Sequence, residues 1–178
     1  MKKIILTVAA VFAFGFANAQ DMKFGVKGGY INSNFGGDAD TDAKSSFYFG
    51  GLVDFTISEK FHIQPELLYS MEGADNDEAD LNFVRIPVMA KYNVADAFSI
   101  EAGPQIGFLM SAKLESVDIK DTCNSTDFGF NLGAGYDLNE TMSLGLRYTM
   151  GLTNVAKDVA GQTNDSKNSN IQLSFGYK

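Results

Sequence analysis

A single cysteine, Cys123, stands in the 178 residues, so no internal disulfide holds this fold. Histidine is equally scarce, with His62 alone, and proline occurs only at Pro65, Pro87 and Pro104. Beyond residue 20 no apolar run approaches the ~20 residues that a membrane helix needs. Positive charge is in deficit, with 14 Lys and Arg against 22 Asp and Glu for a net charge of −8, which argues against nucleic acid as a partner. The one sustained apolar run is at the start. Met1-Lys2-Lys3 is basic, Ile4 to Phe16 is apolar, and Ala17-Asn18-Ala19 is a small-residue cleavage site. That is the pattern of a secretory signal peptide over residues 1–19, with one domain over 20–178. Losing Lys2 and Lys3 takes the net charge from −8 to −10. No cysteine follows the cleavage site to carry a lipid anchor.

What the rest of the chain does contain is alternation. Eight segments have period two, the mark of strands whose faces meet different surroundings. One parity reads Phe24, Val26, Gly28, Tyr30 in the first segment and Phe61, Ile63, Pro65, Leu67, Tyr69, Met71 in the third. It ends with Ile171, Leu173, Phe175, Tyr177 in the eighth. No member of this set is charged in any of the eight. The other parity carries Lys23, Lys27, Asp54, His62, Gln64, Glu66, Glu72, Arg85, Lys91, Glu101, Gln105, Asp127, Asn131, Arg147 and Gln172, interspersed with glycine.

A soluble sandwich or lipocalin-like barrel would turn the apolar face inward; a transmembrane barrel would turn it to lipid and fill its lumen with the polar face. Glycine, Glu and Arg in mid-strand suit a crowded lumen. Aromatic residues at the ends of the apolar parity, such as Tyr30, Tyr69, Tyr92, Phe98, Tyr136 and Tyr177, suit interfacial girdles. The connections 58–60, 93–97 and 137–140 are tight, whereas 33–46, 73–80, 111–126 and 152–167 are mostly longer and polar. Short periplasmic turns and long extracellular loops give the same asymmetry. The expectation is therefore an all-β, eight-stranded, antiparallel up-and-down transmembrane barrel in a bacterial outer membrane, with both termini periplasmic.

In their order, the stretches Lys23-Phe-Gly-Val-Lys-Gly-Gly-Tyr30, Gln64-Pro-Glu-Leu-Leu-Tyr69, Arg85-Ile-Pro-Val-Met-Ala-Lys-Tyr92, Glu101-Ala-Gly-Pro-Gln-Ile-Gly107 and Arg147-Tyr-Thr-Met-Gly-Leu-Thr-Asn154 resemble a known family. It is the small outer-membrane β-barrel family of Bacteroidetes, the OmpX-like or PorT-like porin-family domain. The resemblance implies an integral outer-membrane protein; one member type assists a gliding and secretion system. The chain departs from the usual terminal aromatic by ending in Lys178.

Glu66 and Glu101, with Arg85 and Arg147, have the composition of an acid–base site. An eight-stranded barrel is just wide enough for side chains to fill, however, so interior charges must pair. Counting from the tight turns places Glu66, Arg85 and Arg147 at mid-height, with Lys27, Asp54 and Glu101 one layer nearer the periplasm. The reading is a structural ion-pair network of Lys27, Asp54, Glu66, Arg85, Glu101 and Arg147, in which the two glutamates share the two arginines, and no catalysis. His62, near a periplasmic turn, is badly placed for chemistry on surface lipid. Asp38, Asp40 and Asp42 invite an EF-hand reading, but Ala43 stands where glycine is needed and Phe49 where the bidentate glutamate belongs. These and the second cluster, Asp75, Asp77, Glu78 and Asp80, are solvated loop acids and weak cation candidates. Cys123 falls in a polar loop without metal-ligand partners. Bulges are expected where the three prolines interrupt the ladders.

No cofactor is expected. The expected partners are outer-membrane lipid and lipopolysaccharide and the barrel-assembly machinery, and the chain reads as a monomer. The expected role is structural or interactive, through acidic surface loops. A narrow pore for small solutes, an accessory barrel of a secretion or gliding system and a lipid-modifying enzyme are the rivals.

Overall fold

The computed structural model describes residues 22–36, 43–74, 79–114, 117–155 and 167–178. The signal-like residues 1–19 and the acidic Asp38, Asp40, Asp42, Asp75, Asp77 and Glu78 lie outside them. The described strands are β1 (Met22–Gly36), β2 (Lys44–Thr56), β3 (Phe61–Ala74), β4 (Ala79–Asn93), β5 (Phe98–Leu114), β6 (Val117–Asp118), β7 (Thr126–Asp137), β8 (Met142–Gly151) and β9 (Lys167–Tyr177). Each long strand pairs antiparallel with its neighbours in sequence, and β9 closes on β1 from Val26↔Tyr177 to Gly36↔Lys167. Eight long strands thus form a closed up-and-down barrel, as the alternation implies. β6 is a two-residue flap on the end of β5.

The barrel has a turn end and a loop end. At the turn end the backbone bonds close locally: Ile57 and Ser58 both donate to the Phe61 carbonyl, and Val94 donates to Phe98. In the third turn the Asn139 side-chain oxygen accepts from the backbone N–H of Thr141 and Met142 at 2.9 and 2.8 Å, an Asx arrangement that substitutes for ladder bonds. At the loop end, strands run into segments read above as loops. β5 continues to Leu114, and β3 and β4 pair out to Ala74↔Ala79. Alternating apolar residues mark the band that faces an apolar solvent, but ladder bonds need only backbone, so strands outlast that pattern.

The prolines do not produce bulges. At Pro65 the β3–β4 ladder lapses between Pro65↔Val88 and Leu68↔Arg85, and at Pro87 the β4–β5 ladder lapses between Pro87↔Gln105 and Ala90↔Ala102. Each lapse skips equal numbers on both strands, so a missing N–H costs ladder bonds without shifting register. The register shift in β4–β5 falls instead at Asn82/Phe83, where Met110 is the extra residue. Near it Gly73 has φ 149, and its N–H and C=O are both taken by the Ser33 hydroxyl at 3.1 and 3.0 Å.

Side-chain parity follows the alternation closely. Phe24, Phe47, Leu67, Leu132, Leu146 and Phe175 are exposed on the outside, while Lys27, Glu66, Arg85, Glu101 and Arg147 are buried inside. Adjacent outward aromatics touch, Tyr30 edge-on to Phe47 at 6.1 Å and Phe49 near Tyr69 at 5.8 Å. The interior is not wholly polar. Tyr48 turns inward and packs with Ile31 and Leu68.

Candidate functional site

The lumen is built from a recurring arrangement in which two charged side chains on alternate strands face each other across a glycine between them. Glu101 on β5 is level with Gly133 on β7, which is level with Arg147 on β8. A Cβ at Gly133 would stand 2.9 Å from Glu101 Oε1. Its absence lets Arg147 Nε donate to that oxygen at 2.8 Å. The other edge of the guanidinium crosses the barrel to β3, where Nη1 and Nη2 each donate to Glu66 at 2.9 Å. Glu66 Oε1 also accepts from Gln64 at 2.7 Å and from the Lys27 ammonium at 3.3 Å. Two cations and two carboxylates therefore form one neutral, buried cluster. A two-toothed Arg–carboxylate contact fixes both groups in plane, the strongest form of ion pair.

Arg85 does not belong to that cluster. Its row runs Arg85, Gly107, Asp127 over β4, β5 and β7. A Cβ at Gly107 would come within 2.6 Å of Arg85 Nη1, and through that space Nη1 reaches Asp127 at 2.5 Å. The other edge grips Glu72, Nε and Nη2 each at 2.6 Å. Ser70 and Asn168 complete Glu72, Thr153 completes Asp127, and the guanidinium lies 4.2 Å over the Phe83 ring. This second cluster sits toward the loop end. The expected sharing of Arg85 with Glu66 is thus corrected. Counting up from the turns treats strands as upright, whereas barrel strands are tilted and staggered, so equal counts are not equal heights. Glu72 and Asp127, on the charged parity but given no pairing above, are the acids that complete Arg85. The charge–glycine–charge row would have revealed Asp127 once register was known, whereas Glu72 is level with Leu81 and lies in no such row.

Asp54 also lies apart from Lys27. It sits near the turn end, where Oδ1 is 3.0 Å from His62 Nδ1 and Oδ2 takes the Lys178 ammonium. There a cup of about 410 Å³ opens outward, lined by Asp54, His62, Lys91, Asp137 and Lys178 among others. Its acids and bases largely pair with each other, for Lys91 also reaches Asp137 at 3.4 Å.

Between the two arginine clusters lies an uncharged layer. Asn131 donates to Gln105 at 3.4 Å, Thr149 donates to Asn131 at 2.7 Å, and Gln172 donates to Asn170 at 2.9 Å. Beyond the Arg85 cluster the interior turns apolar, with Leu81, Phe83, Leu109, Ala112, Val155 and Cys123 packed together. Cys123 is therefore buried under this cap rather than lying in a solvated loop. The 3₁₀ turn at Lys120–Thr122 and the bond from Asn124 N to Val155 O fold its segment inward. Among the described residues no group of three or more His, Cys, Asp or Glu is arranged to hold a metal ion.

The geometry has solved counterparts. Neisserial surface protein A (NspA) superposes with a TM-score of 0.56 at 12% identity, covering 89% of this chain and 99% of that one. Ail, the attachment invasion locus protein of Yersinia pestis, gives 0.54 at 12% identity, covering 86% and 96%. Ail in complex with the heparin analogue sucrose octasulfate gives 0.53 at 14% identity, covering 89% and 99%. At these identities the likeness is one of fold. No curated protein matches the sequence. The family model for the outer membrane protein beta-barrel domain matches residues 4–178. The chain belongs to that family, and its barrel is an outer-membrane barrel.

Proposed function

We propose that this outer-membrane barrel is a closed, non-enzymatic stave whose role is to present its long loops at the cell surface. The observation that carries the reading is the filled lumen. Two arginines, each held by two carboxylates from different strands, occupy a cross-section that eight strands leave barely wide enough for side chains. No acid or base in either cluster is spare for proton transfer, since each is already engaged. In this reading residues 1–19 are a cleaved signal, the turn end and both termini face the periplasm, and the loop end faces outward. Assembly runs through the barrel-assembly machinery, and the outward face meets outer-membrane lipid and lipopolysaccharide as a monomer. The affinity with the Bacteroidetes PorT-like and OmpX-like barrels is part of this proposal. A heparin-like polyanion, such as the one bound by Ail, suits this chain poorly. Its net charge is −8, and its loop acids at 38–42 and 75–80 favour a neutral or cationic ligand.

Conductance and topology test the proposal. Purified protein in a planar bilayer is expected to give no steady current; large, long-lived openings would promote the narrow-pore rival. In a Cys123→Ala background, a membrane-impermeant maleimide is expected to label Asp118→Cys on intact cells. Glu59→Cys, in a turn, should react only after the outer membrane is permeabilised. The reverse pattern would invert the topology.

A further inference from the structure

The cup at the turn end holds a buried charge that the protein leaves largely unsatisfied. Lys91 lines its inner part and is only 6% exposed. An ammonium has three N–H donors, yet among the described residues this one finds a single acceptor, Asp137 Oδ1 at 3.4 Å. That is long for a hydrogen bond, and Asp137 is itself partly exposed. A buried charge with so little compensation is unfavourable, so the remaining donors call for an acceptor from outside the chain.

The rim above Lys91 carries the opposite charge. Asp96, in the β4–β5 turn, and Glu140, in the β7–β8 turn, line the cup and are exposed. Neither carboxylate has a partner among the described residues. The two turns are neighbours because β5 pairs with β7, and Lys91 and Asp137 stand at the ends of the strands that lead into them. Across the mouth, on β1 and just beyond β9, Lys23 is exposed and equally unpaired, while the Lys178 ammonium is committed to Asp54. Inward the cup narrows to a space of about 20 Å³ that ends on Lys27 and Glu101 of the Arg147 cluster. A ligand would therefore enter and leave by the same mouth.

We propose that this cup binds a small zwitterion, an amino acid or short peptide with free ends, its carboxylate on Lys91 and its ammonium between Asp96 and Glu140. The spare charges select the ligand. A plain anion would satisfy Lys91 but face two free carboxylates at the rim, and a plain cation would meet Lys91 and Lys23. A molecule with both charges meets each with its opposite, and Lys23 turns its ammonium toward the acidic side. The volume of about 410 Å³ falls within the range of about 300–1,000 Å³ typical of small-molecule sites. The site lies at the mouth opposite the long loops and does not depend on their role.

The test titrates triglycine into the whole folded barrel, isotope-labelled, in lipid nanodiscs, where both mouths are open to solvent. Backbone amide shifts are read at Lys91, Asp96 and Glu140, with Cys123 and Val155 in the far cap as controls. The expected result is a saturable shift at the first three and none at the controls. Triglycine amide and N-acetyl-triglycine each lack one charge, and each should bind about tenfold or more weakly, the loss of one charge-assisted hydrogen bond. Lys91→Gln should weaken triglycine by a similar factor. The three peptides compared on the wild type decide the matter even if that variant fails to fold. Absence of a saturable shift would overturn the proposal. N-acetyl-triglycine binding as tightly as triglycine would overturn it in favour of a simple anion site, and equal binding of the amide in favour of a cation site. Conductance and surface labelling leave this result untouched, so the cup and the closed stave can fail separately.

Discussion

Removing the Arg147 guanidinium is the sharpest perturbation the lumen offers. Arg147→Ala deletes three donor contacts, one to Glu101 and two to Glu66, and leaves two buried carboxylates against the single Lys27 ammonium. The neutral cluster becomes net negative in a place where neither acid can move into water. Breaking a buried pair in this way costs about 3–5 kcal/mol. Adding Glu101→Ala restores neutrality, because Lys27 and Glu66 then remain as a matched pair. The double variant should therefore lose less than the sum of the singles, by about 0.5–3 kcal/mol of coupling. The control is Arg85→Ala with Glu66→Ala. Arg85 is held by Glu72 and Asp127, and Glu66 by Arg147, Lys27 and Gln64, with no shared partner. These two changes should add to within about 0.5 kcal/mol. The assay is urea unfolding of the lipid-embedded protein, followed by the difference in gel mobility between folded and heated forms. Additivity at Arg147/Glu101 together with strong coupling at Arg85/Glu66 would refute the two-cluster assignment.

Three further outcomes follow from the same geometry. Leu132→Arg, in mid-strand on the outer face, should lower stability by about 2–4 kcal/mol, and Leu144→Arg, level with Tyr136 near the turn end, by about 0–1, in urea titrations in lipid. Gly107→Ala pushes a methyl into the Arg85 guanidinium, which is pinned on both edges, and should cost about 1–3 kcal/mol; Gly51→Ala, whose Cβ meets only Gly25 O at 3.8 Å, should be near neutral in the same titration. Cys123 in the native barrel should react with a maleimide far more slowly than Asp118→Cys in a Cys123→Ala background, and at the speed of a free thiol once urea opens the fold; equally fast native labelling would mean the apolar cap is not closed.

Parity was the legible part of this molecule. A residue's face depends only on its own strand, so charged residues such as Arg85, Glu101 and Arg147 could be assigned inward from alternation alone. Their partners were not legible, because pairing depends on stagger between strands, which turn lengths and parity leave open. Arg85 shows the difference. Its inward face follows from β4 by itself, but its contact with Glu72 rather than Glu66 follows from tilt. Cys123 failed for another reason. Its neighbours in sequence are polar, and the apolar residues that cover it come from β4, β5 and the segment after β8. Nothing local records that company.

The placement of charge inside also bears on how this chain finds one register. Apolar side chains could pack a lumen as well, and replacing a buried ion-pair set by apolar residues can be neutral or stabilising. An interior of that kind would resemble the outer face, and lipid would hardly distinguish the two. Here the faces differ in every long strand. A slip by one residue turns a whole strand over. For β8 it would carry Arg147 into the lipid and bring Leu146 and Tyr148 inside. For β4 it would do the same to Arg85. Each arginine near mid-membrane then costs about 2–4 kcal/mol, before the carboxylates left unpaired in the lumen are counted. The two clusters thus penalise misregistered barrels far more than they stabilise the native one. Substituting the Arg147 cluster wholesale, as Lys27→Met, Glu66→Leu, Glu101→Leu and Arg147→Met, should leave native stability within a few kcal/mol yet lower the yield of correctly folded barrel on refolding into lipid. Refolding yield unchanged from wild type would show that the clusters do not set register.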